Sequence, residues 1–269
     1  MGQTRVAVTG SQGFIGQNVT RILSSCGDIK QIDFEGDLLV QDDIISFFEN
    51  NKEIDSIIHL VGVFSGPTGL LIDINVKTLA NLLETAKDYG VKKVVFTSTG
   101  AVYGEPIGEE SFETDQLSPN TEYSMSKMLA EETLKYYCRQ YHMSYVILRY
   151  PNVYGRGNEK GVIGAFMKSI QENHSITVYG DGEQSRNFLH VDDACRAIEL
   201  GLRYKGSDVF NISNPIKYTI NEIVELYKKK FDFVVEKKPS NNNLRNLLLN
   251  TDKAHKLLNF DVQHKEIEL

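Results

Sequence analysis

A tyrosine and a lysine, Tyr123 and Lys127, lie four residues apart. On a helix these positions share one face and are about one turn apart. A nearby ammonium stabilises phenolate, so we expect Lys127 to lower the pKa of Tyr123 toward the working pH. Tyr123 could then exchange a proton with a substrate hydroxyl. Tyrosine and lysine at this spacing also occur on ordinary helices, so the pair alone does not establish catalysis.

Two hydroxyl side chains, Ser98 and Thr99, end a strongly apolar run that starts near residue 93. The run is typical of a buried strand, and ligands of α/β sheets bind at the carboxyl ends of the strands. Either hydroxyl could hydrogen-bond the oxygen that reacts with Tyr123. The alternative interpretation is a polar strand end without a chemical role.

Three glycines, Gly10, Gly13 and Gly16, occupy the turn between the first predicted strand and the first predicted helix. A tight turn of this kind needs positive φ, which glycine adopts easily. Without side chains, the turn lets a pyrophosphate approach the helix N-terminus, where free N–H groups and the helix dipole favour anions. The spacing G-x-x-G-x-x-G differs from the commoner G-x-G-x-x-G, and an ordinary tight turn is the alternative.

Asp33 ends the second predicted strand, 23 residues beyond Gly10. A carboxylate here can accept both ribose hydroxyls of NAD and would repel the 2′-phosphate of NADP. Residues 34–36 include no Arg or Lys, so the sequence predicts NAD as the cofactor. Asp37 and Leu38 could flank the adenine, although a solvated loop aspartate is an alternative.

Strands alternate with helices along the part of the chain that must position these groups. Strands are predicted over 6–8, 29–33, 54–61, 93–97, 145–149 and 209–212, and helices over 14–23, 76–86, 126–141, 162–172, 192–202 and 220–231. The alternation implies parallel strands joined by crossovers, and buried parallel strands are near-continuously apolar, as these are. The predicted fold is therefore α/β, with a Rossmann-type doubly wound parallel sheet.

Composition limits the classes of partner. The 269 residues include 29 Lys and Arg against 36 Asp and Glu, a net charge of −7, which does not favour nucleic acid. Apolar stretches are shorter than the roughly 18–20 residues that span a bilayer, and the N-terminus leads directly into a predicted strand. Three widely separated cysteines suit reduced thiols. We expect a cytoplasmic protein without a signal peptide or a membrane partner.

Ordered segments along the chain extend the pattern. They are 9–16, 55–59, 75–84, 90–99, 101–104, 123–127, 148–155 and 180–193, with a weaker match at 251–258. Together they resemble the extended short-chain dehydrogenase/reductase family, in particular its NAD-dependent epimerase/dehydratase branch acting on nucleotide-sugars. The resemblance runs from residue 5 to about residue 212. It implies NAD-dependent redox chemistry on the sugar of a nucleotide-sugar.

The resemblance also implies roles for individual residues. Thr99 aligns with the hydroxyl of the catalytic triad, Tyr123 with the acid/base, and Lys127 with its partner on the nicotinamide ribose. The expected cofactor contacts are Gly10, Gly13, Phe14, Ile15, Gly16, Asp33, Asp37, Leu38, Leu60, Val61, Ser98, Tyr123, Lys127 and Tyr150.

Three further residues are expected to contact the substrate. Asn152 aligns with a substrate-binding asparagine, and Arg186 with an arginine that clamps the diphosphate, whose oxygens match a guanidinium fork. Tyr179 is the third. The alternatives are a loop-capping amide for Asn152 and a surface ion pair with Asp181 or Glu183 for Arg186.

The resemblance implies an NAD-binding domain formed by residues 1–155 plus about 189–211. A smaller C-terminal substrate-binding cap would comprise about 156–188 and 212–269. The family often dimerises through a four-helix bundle, and Leu129, Leu134 and Tyr137 could serve that interface, although core packing explains them equally well. We expect a homodimer. His59 and His190 have no metal-ligand partners at suitable spacing, so no metal is predicted.

Departures from the family narrow the reaction. Sugar 4,6-dehydratases carry an Asp-Glu pair after the triad hydroxyl, where this chain has Gly100 and Ala101, so dehydration is not expected. The overall match and Asp33 favour C4 epimerisation of a UDP- or dTDP-hexose through a transient 4-keto sugar. The short spacing from Asp33 to Asp37 would let the cofactor exchange, which favours a 4-keto-6-deoxy-sugar reductase. A catalytically silent NAD-binding regulatory protein is a third alternative, against which the complete triad weighs.

Overall fold

The computed structural model describes residues 3–106, 108–239 and 246–269, so residues 240–245 of the predicted cap lie outside the described residues. The strands are β1 (Thr4–Thr9), β2 (Ile29–Asp33), β3 (Ser56–His59), β4 (Lys93–Thr99), β5 (Ser144–Tyr150), β6 (Asn152–Tyr154), β7 (Ser175–Tyr179), β8 (Ser185–His190), β9 (Asp208–Asn211), β10 (Lys217–Thr219) and β11 (Val234–Lys238). The α-helices are α1 (Phe14–Ser24), α2 (Gln41–Asn50), α3 (Thr68–Ile72), α4 (Thr78–Ala86), α5 (Glu122–Gln140), α6 (Gly161–Asn173), α7 (Val191–Arg203), α8 (Ile220–Lys228) and α9 (Asp252–Leu258).

Six parallel strands form the central sheet in the order β2-β1-β3-β4-β5-β9. Ile57, Ile58, Val94 and Val95 are fully buried because helices cover both faces of the sheet. The strand order reverses between β1 and β3. Ligands of open α/β sheets bind at the carboxyl ends of the strands at such a point. The predicted doubly wound parallel sheet is confirmed.

Each face of the sheet has its own apolar core. On one face, Val19 of α1 and Ile198 of α7 pack against strand residues such as Val8. On the other face, Leu82 of α4 and Leu134 of α5 belong to a second cluster. The apolar spacing of these helices places a buried stripe against the sheet, and so holds the helices that carry the candidate site.

Two smaller sheets lie outside the central one. Their strand orders are β10-β8-β6 and β11-β7, and a third apolar cluster combines residues of these strands with α6 and α8. The division into an NAD-binding domain and a smaller substrate-binding cap remains a prediction. Helix α8 ends at Lys228, three residues before the predicted end at residue 231. Within the described ranges, no helix is long and apolar enough to cross a bilayer.

Candidate active site

A cavity of about 190 Å³ opens at the carboxyl edge of the central sheet. Its lining includes these predicted site residues: Ile15, Leu60, Ser98, Thr99, Tyr123, Lys127 and Tyr150. Val63, Phe64 and Val153 also line the cavity and were missed from the sequence. They follow strands β3 and β5, so the strand-end argument that selected Ser98 and Thr99 could also have found them.

The start of helix α5 is set by a capping box. The Thr121 hydroxyl accepts the Ser124 amide at 3.1 Å, and the Ser124 hydroxyl accepts the Thr121 amide at 3.1 Å. Such a box satisfies two otherwise unpaired donors and defines where a helix begins. Helix α5 therefore begins at Glu122, four residues before the predicted start, and Tyr123 lies in its first turn.

The Tyr123 phenol lies beside the Thr99 hydroxyl. Burial raises the pKa of Tyr123 above its usual value, and a hydrogen bond with Thr99 lowers it in part. The predicted lowering of this pKa by Lys127 is not observed. Burial lowers the pKa of Lys127 itself to about 7, so its ammonium is only partly present at neutral pH.

Lys127 lies in a nearly closed, largely apolar environment. Its Nζ is 4.0 Å from the centroid of the Phe96 ring, and the residue is 5% exposed. The charge of Glu131, one turn further along α5, favours the protonated form of Lys127 but does not overcome burial. His59 is buried close by and bonds the Thr9 hydroxyl at 2.8 Å. Burial and the Lys127 charge lower the pKa of His59 to about 3, so His59 is neutral.

The glycine turn has the geometry that a pyrophosphate requires. Gly10 has a φ of 75°, and a Cβ at this residue would lie 3.0 Å from the Val61 amide nitrogen. A Cβ at Gly16 would lie 2.2 Å from the Gly10 carbonyl oxygen. Gly13 is the N-cap of α1 and provides no side chain to cap it, so the first amides of α1, at Phe14 and Ile15, have no side-chain acceptor at the cap. These residues fit a dinucleotide, whose pyrophosphate the amides would bind.

Asp33 lies at the end of β2, next to the glycine turn. It is in register with Val8, and the Gln31 side-chain amide donates to its Oδ1 at 2.6 Å. This bond orients the carboxylate at the place expected for a ribose. Asp37 instead accepts the Leu39 amide at 2.8 Å and so shapes its own turn. The Leu38 side chain is buried in the core beside α2, and its predicted contact with adenine remains a prediction.

The three predicted substrate residues lie outside the lining of this cavity. Asn152 begins β6 and is in register with Phe188 of β8. Arg186, also on β8, donates from Nη1 to the Ser185 carbonyl at 2.8 Å, and burial lowers its pKa. Tyr179 ends β7 and is 55% exposed. Their roles remain predictions. Tyr150 lines the cavity, and its hydroxyl donates to the Ala194 carbonyl at 2.8 Å.

His190 lies close to two potential metal-ligating residues that its spacing in the sequence did not indicate. Potential ligand atoms of His190, Asp192 and His264 all lie within 4.8 Å of one another. However, the two imidazole rings stack with centroids 3.9 Å apart and planes inclined by 29°. Nitrogen lone pairs lie in the ring plane, so stacked rings do not point at a common ion. The His190 Nδ1 instead accepts the Asp192 amide at 3.2 Å and caps α7.

A glycine turn, an aspartate at the end of β2 and a Thr-Tyr-Lys cluster at the switch point of a doubly wound sheet are typical of dinucleotide-binding proteins. Residues 6–213 match the sequence profile of the NAD dependent epimerase/dehydratase family. The chain belongs to that family. This membership confirms the predicted family, fold and NAD cofactor.

Known proteins of the family resemble the chain over nearly its whole length. A protein of Methanocaldococcus jannaschii named "Putative UDP-glucose 4-epimerase" is 30% identical, over 94% of this chain and 92% of that protein. The UDP-glucose 4-epimerase of Thermotoga maritima, solved with UDP-glucose, has a TM-score of 0.89 and 27% identity, covering 97% of this chain and 94% of that one. The UDP-glucose 4-epimerase of Thermus thermophilus, solved with NAD, has a TM-score of 0.84 and 28% identity, with coverages of 94% and 93%.

We predict that Asp33→Arg reverses the cofactor preference. Losing a charge-assisted bond to the ribose should weaken NAD binding by about 10- to 100-fold, and the new cation should improve NADP binding. Titration calorimetry with both cofactors measures the change. Glu35→Gln, which alters an exposed carboxylate two residues away, is the control and should leave both affinities unchanged. Unaltered NAD affinity in Asp33→Arg would contradict the ribose assignment.

We predict that Lys127→Met stabilises the cofactor-free protein at low pH. The Lys127 pKa is about 7 in the folded protein, against 10.5 for an unperturbed lysine, so the unfolded chain binds more protons between these values. Wild-type stability should therefore rise with pH across this window, and the methionine variant should lack that rise. The gain should be about 1–4 kcal/mol near pH 6 and close to zero near pH 10.

Urea unfolding of both proteins across this pH range measures the difference. Lys135→Met is the matched control, because Lys135 lies on the same helix but pairs with Glu132 at 2.8 Å and is 24% exposed. The control should not reproduce the pH-dependent gain. A Lys127→Met curve parallel to that of the wild type would contradict the depressed pKa.

Proposed function

We propose that the protein interconverts the C4 epimers of a UDP- or dTDP-hexose, using NAD. The observation that carries the proposal is the meeting of Thr99, Tyr123 and Lys127 in one cavity beside the glycine turn. The relatives from Methanocaldococcus jannaschii and Thermotoga maritima, both named as UDP-glucose 4-epimerases, support the choice of reaction.

In this proposal Tyr123 is the acid/base. Bound NAD supplies the acceptor and donor of hydride. Tyr123 takes the proton of the sugar C4 hydroxyl and returns it after the 4-keto sugar has turned its other face, while the Thr99 hydroxyl hydrogen-bonds the same oxygen. The protonated fraction of Lys127 stabilises the Tyr123 phenolate. Apolar walls such as Ile15 and Leu60 exclude water from the reacting atoms.

The remaining predicted site residues are assigned to binding. The amides at the start of α1 hold the pyrophosphate of NAD, and Asp33 holds its adenosine ribose. Asn152, Arg186 and Tyr179 are proposed to bind the nucleotide part of the substrate. The partly buried Arg186 guanidinium supports this, because two parallel N–H groups match the oxygens of a diphosphate.

Loss of water from the sugar is disfavoured by the residues after Thr99. Gly100 starts a tight turn, and a Cβ there would lie 2.8 Å from the Leu249 side chain. Gly100 and Ala101 provide no carboxyl group, so an acid and base for dehydration are missing at this place. This arrangement supports epimerisation over 4,6-dehydration.

A 4-keto-6-deoxy-sugar reductase is the second candidate. The connection between β2 and α2 is short, and Glu35, Gly36 and Asp37 in it are exposed. An open connection beside Asp33 would let NAD exchange with solvent, as a reductase requires at every turnover. A catalytically silent NAD-binding protein is the third candidate, and the assembled triad argues against it.

A panel of nucleotide-sugars, followed for NADH absorbance and product identity together, separates these candidates. We predict conversion of a UDP- or dTDP-hexose to its C4 epimer without net change in NADH. Tyr123→Phe should lower kcat by about 10²- to 10⁴-fold, because it removes only the proton-transferring oxygen. Tyr141→Phe is the control, since Tyr141 lies at the C-terminal end of the same helix, is 40% exposed and should retain full activity.

Each other outcome of the panel has a definite meaning. Stoichiometric loss of NADH with a 4-keto-6-deoxy sugar would replace the epimerase by the reductase. Turnover that survives Tyr123→Phe unchanged would refute the acid/base assignment. Absence of turnover with every sugar tested, despite NAD binding, would favour the silent protein.

We also propose that the protein is a homodimer joined through α5. Leu129 and Tyr136 are 38% and 52% exposed and lie seven residues apart, on one face of this helix. Leu134, which the sequence offered for this interface, is fully buried in the core and is excluded from it. Tyr137 is half-buried and packs against the same core.

Sedimentation velocity tests the dimer. The wild type should sediment as a dimer and Leu129→Glu as a monomer, because a buried unpaired carboxylate opposes association. Leu257→Glu is the control, since Leu257 is 51% exposed on α9, and it should remain dimeric. A monomeric wild type would refute the proposal.

A further inference from the structure

A buried ion pair lies directly behind the candidate site. Glu131 of α5 is fully buried, one turn beyond Lys127. Arg149 of β5 donates to both of its carboxylate oxygens, from Nε at 3.0 Å and from Nη2 at 2.6 Å. Arg149 is itself 2% exposed, so the two charges are shielded from water together.

The same carboxylate reaches the strand that carries Thr99. The Ser98 hydroxyl donates to Glu131 Oε1 at 2.6 Å. On the other side, Arg149 Nη1 donates to the Tyr103 hydroxyl at 2.7 Å, and that hydroxyl donates to Asn211 at 2.7 Å. Glu131 thus joins α5 to β4 and β5, and Arg149 extends the connection to the turn after Thr99 and to β9.

We propose that Glu131 is a positioning residue for the Thr99-Tyr123-Lys127 cluster. It holds the face of α5 that carries Tyr123 and Lys127 against the end of β4, and its charge favours the ammonium form of Lys127. The proposal rests on the proposed function for its kinetic consequence, but its electrostatic consequence can be measured without turnover.

The charges around the pair determine how strongly Glu131 acts on Lys127. Lys127 interacts with the charge of Glu131 on its own helix and lies near neutral His59 of β3, and it lines the same cavity as Tyr123. Glu131 faces Arg149, and Lys135 approaches its Oε2 at 3.9 Å. Arg149 compensates much of the carboxylate charge, which explains why burial still dominates the protonation of Lys127.

Glu131→Gln tests the proposal. It should lower kcat by about 10- to 100-fold with KM changed by less than about threefold, because the reacting groups shift while the nucleotide contacts remain. The pKa of Lys127 should fall by about one unit, measured from the pH dependence of reductive methylation of the Lys127 peptide by mass spectrometry. Glu132→Gln is the matched control, since Glu132 is adjacent and 61% exposed, and it should change neither quantity.

A double variant tests the same proposal if Glu131→Gln does not fold. Removing Glu131 alone leaves the Arg149 charge buried and unpaired, whereas replacing both partners with apolar side chains is often tolerated. Glu131→Met with Arg149→Met should therefore fold, as judged by circular dichroism, and retain the low kcat, while the Lys127 pKa should fall less than in Glu131→Gln because the Arg149 charge is removed as well. Wild-type kcat in this double variant would overturn the proposal.

The same experiments distinguish a failure of the proposed function from a failure of the positioning proposal. If the wild type turns over no nucleotide-sugar, the epimerase and reductase assignments fail, while the labelling of Lys127 still decides on Glu131. If the wild type is active and Glu131→Gln leaves kcat and the Lys127 pKa unchanged, the positioning proposal fails alone.

Discussion

The close approach of the chain to itself at the glycine turn is the constraint on which the site depends. A side chain at Gly16 would overlap the Gly10 carbonyl, and one at Gly10 would press on the Val61 amide. With both side chains absent, β1 can turn directly into α1 while the end of β3 packs beside it. The free amides of α1 and the ends of β1 and β3 therefore meet at the point where the strand order reverses, which is where a dinucleotide can bind.

The acid/base cluster depends on a different kind of contact. Thr99 ends β4, whereas Tyr123 and Lys127 belong to α5, so an interaction between helix and sheet must hold them together. Apolar packing supplies most of the free energy, but it is non-directional. The Glu131–Arg149 pair adds direction, although desolvating two charges costs several kcal/mol per ion before their attraction is counted. The position of such a costly pair behind the cavity is consistent with a requirement to fix α5 against the sheet, more than with a requirement for folding stability.

The sequence predicted several of the long elements well, but it missed the ten-residue helix α2 and several short strands. Strand β2 was predicted with its observed ends, and the helical spacing of α1 and α7 was read to within a residue or two. Strands β6 and β10 have only three residues each, too few for a period of two to be recognised. Helix α5 was predicted to start late because its capping residue, Thr121, precedes a polar first turn without apolar periodicity.

The residues of the candidate site also differ in whether the sequence alone could identify them. Tyr123 and Lys127 could be found because their spacing is local, and Thr99 because it ends a strongly apolar strand, whereas the Glu131–Arg149 pair comes together only through tertiary packing. The protonation states also required the structure. From spacing alone, Lys127 was expected to be a full cation that lowers the pKa of Tyr123, yet burial lowers the pKa of Lys127 and raises that of Tyr123. The motif identifies which side chains can exchange a proton, and burial determines the pKa values of those side chains.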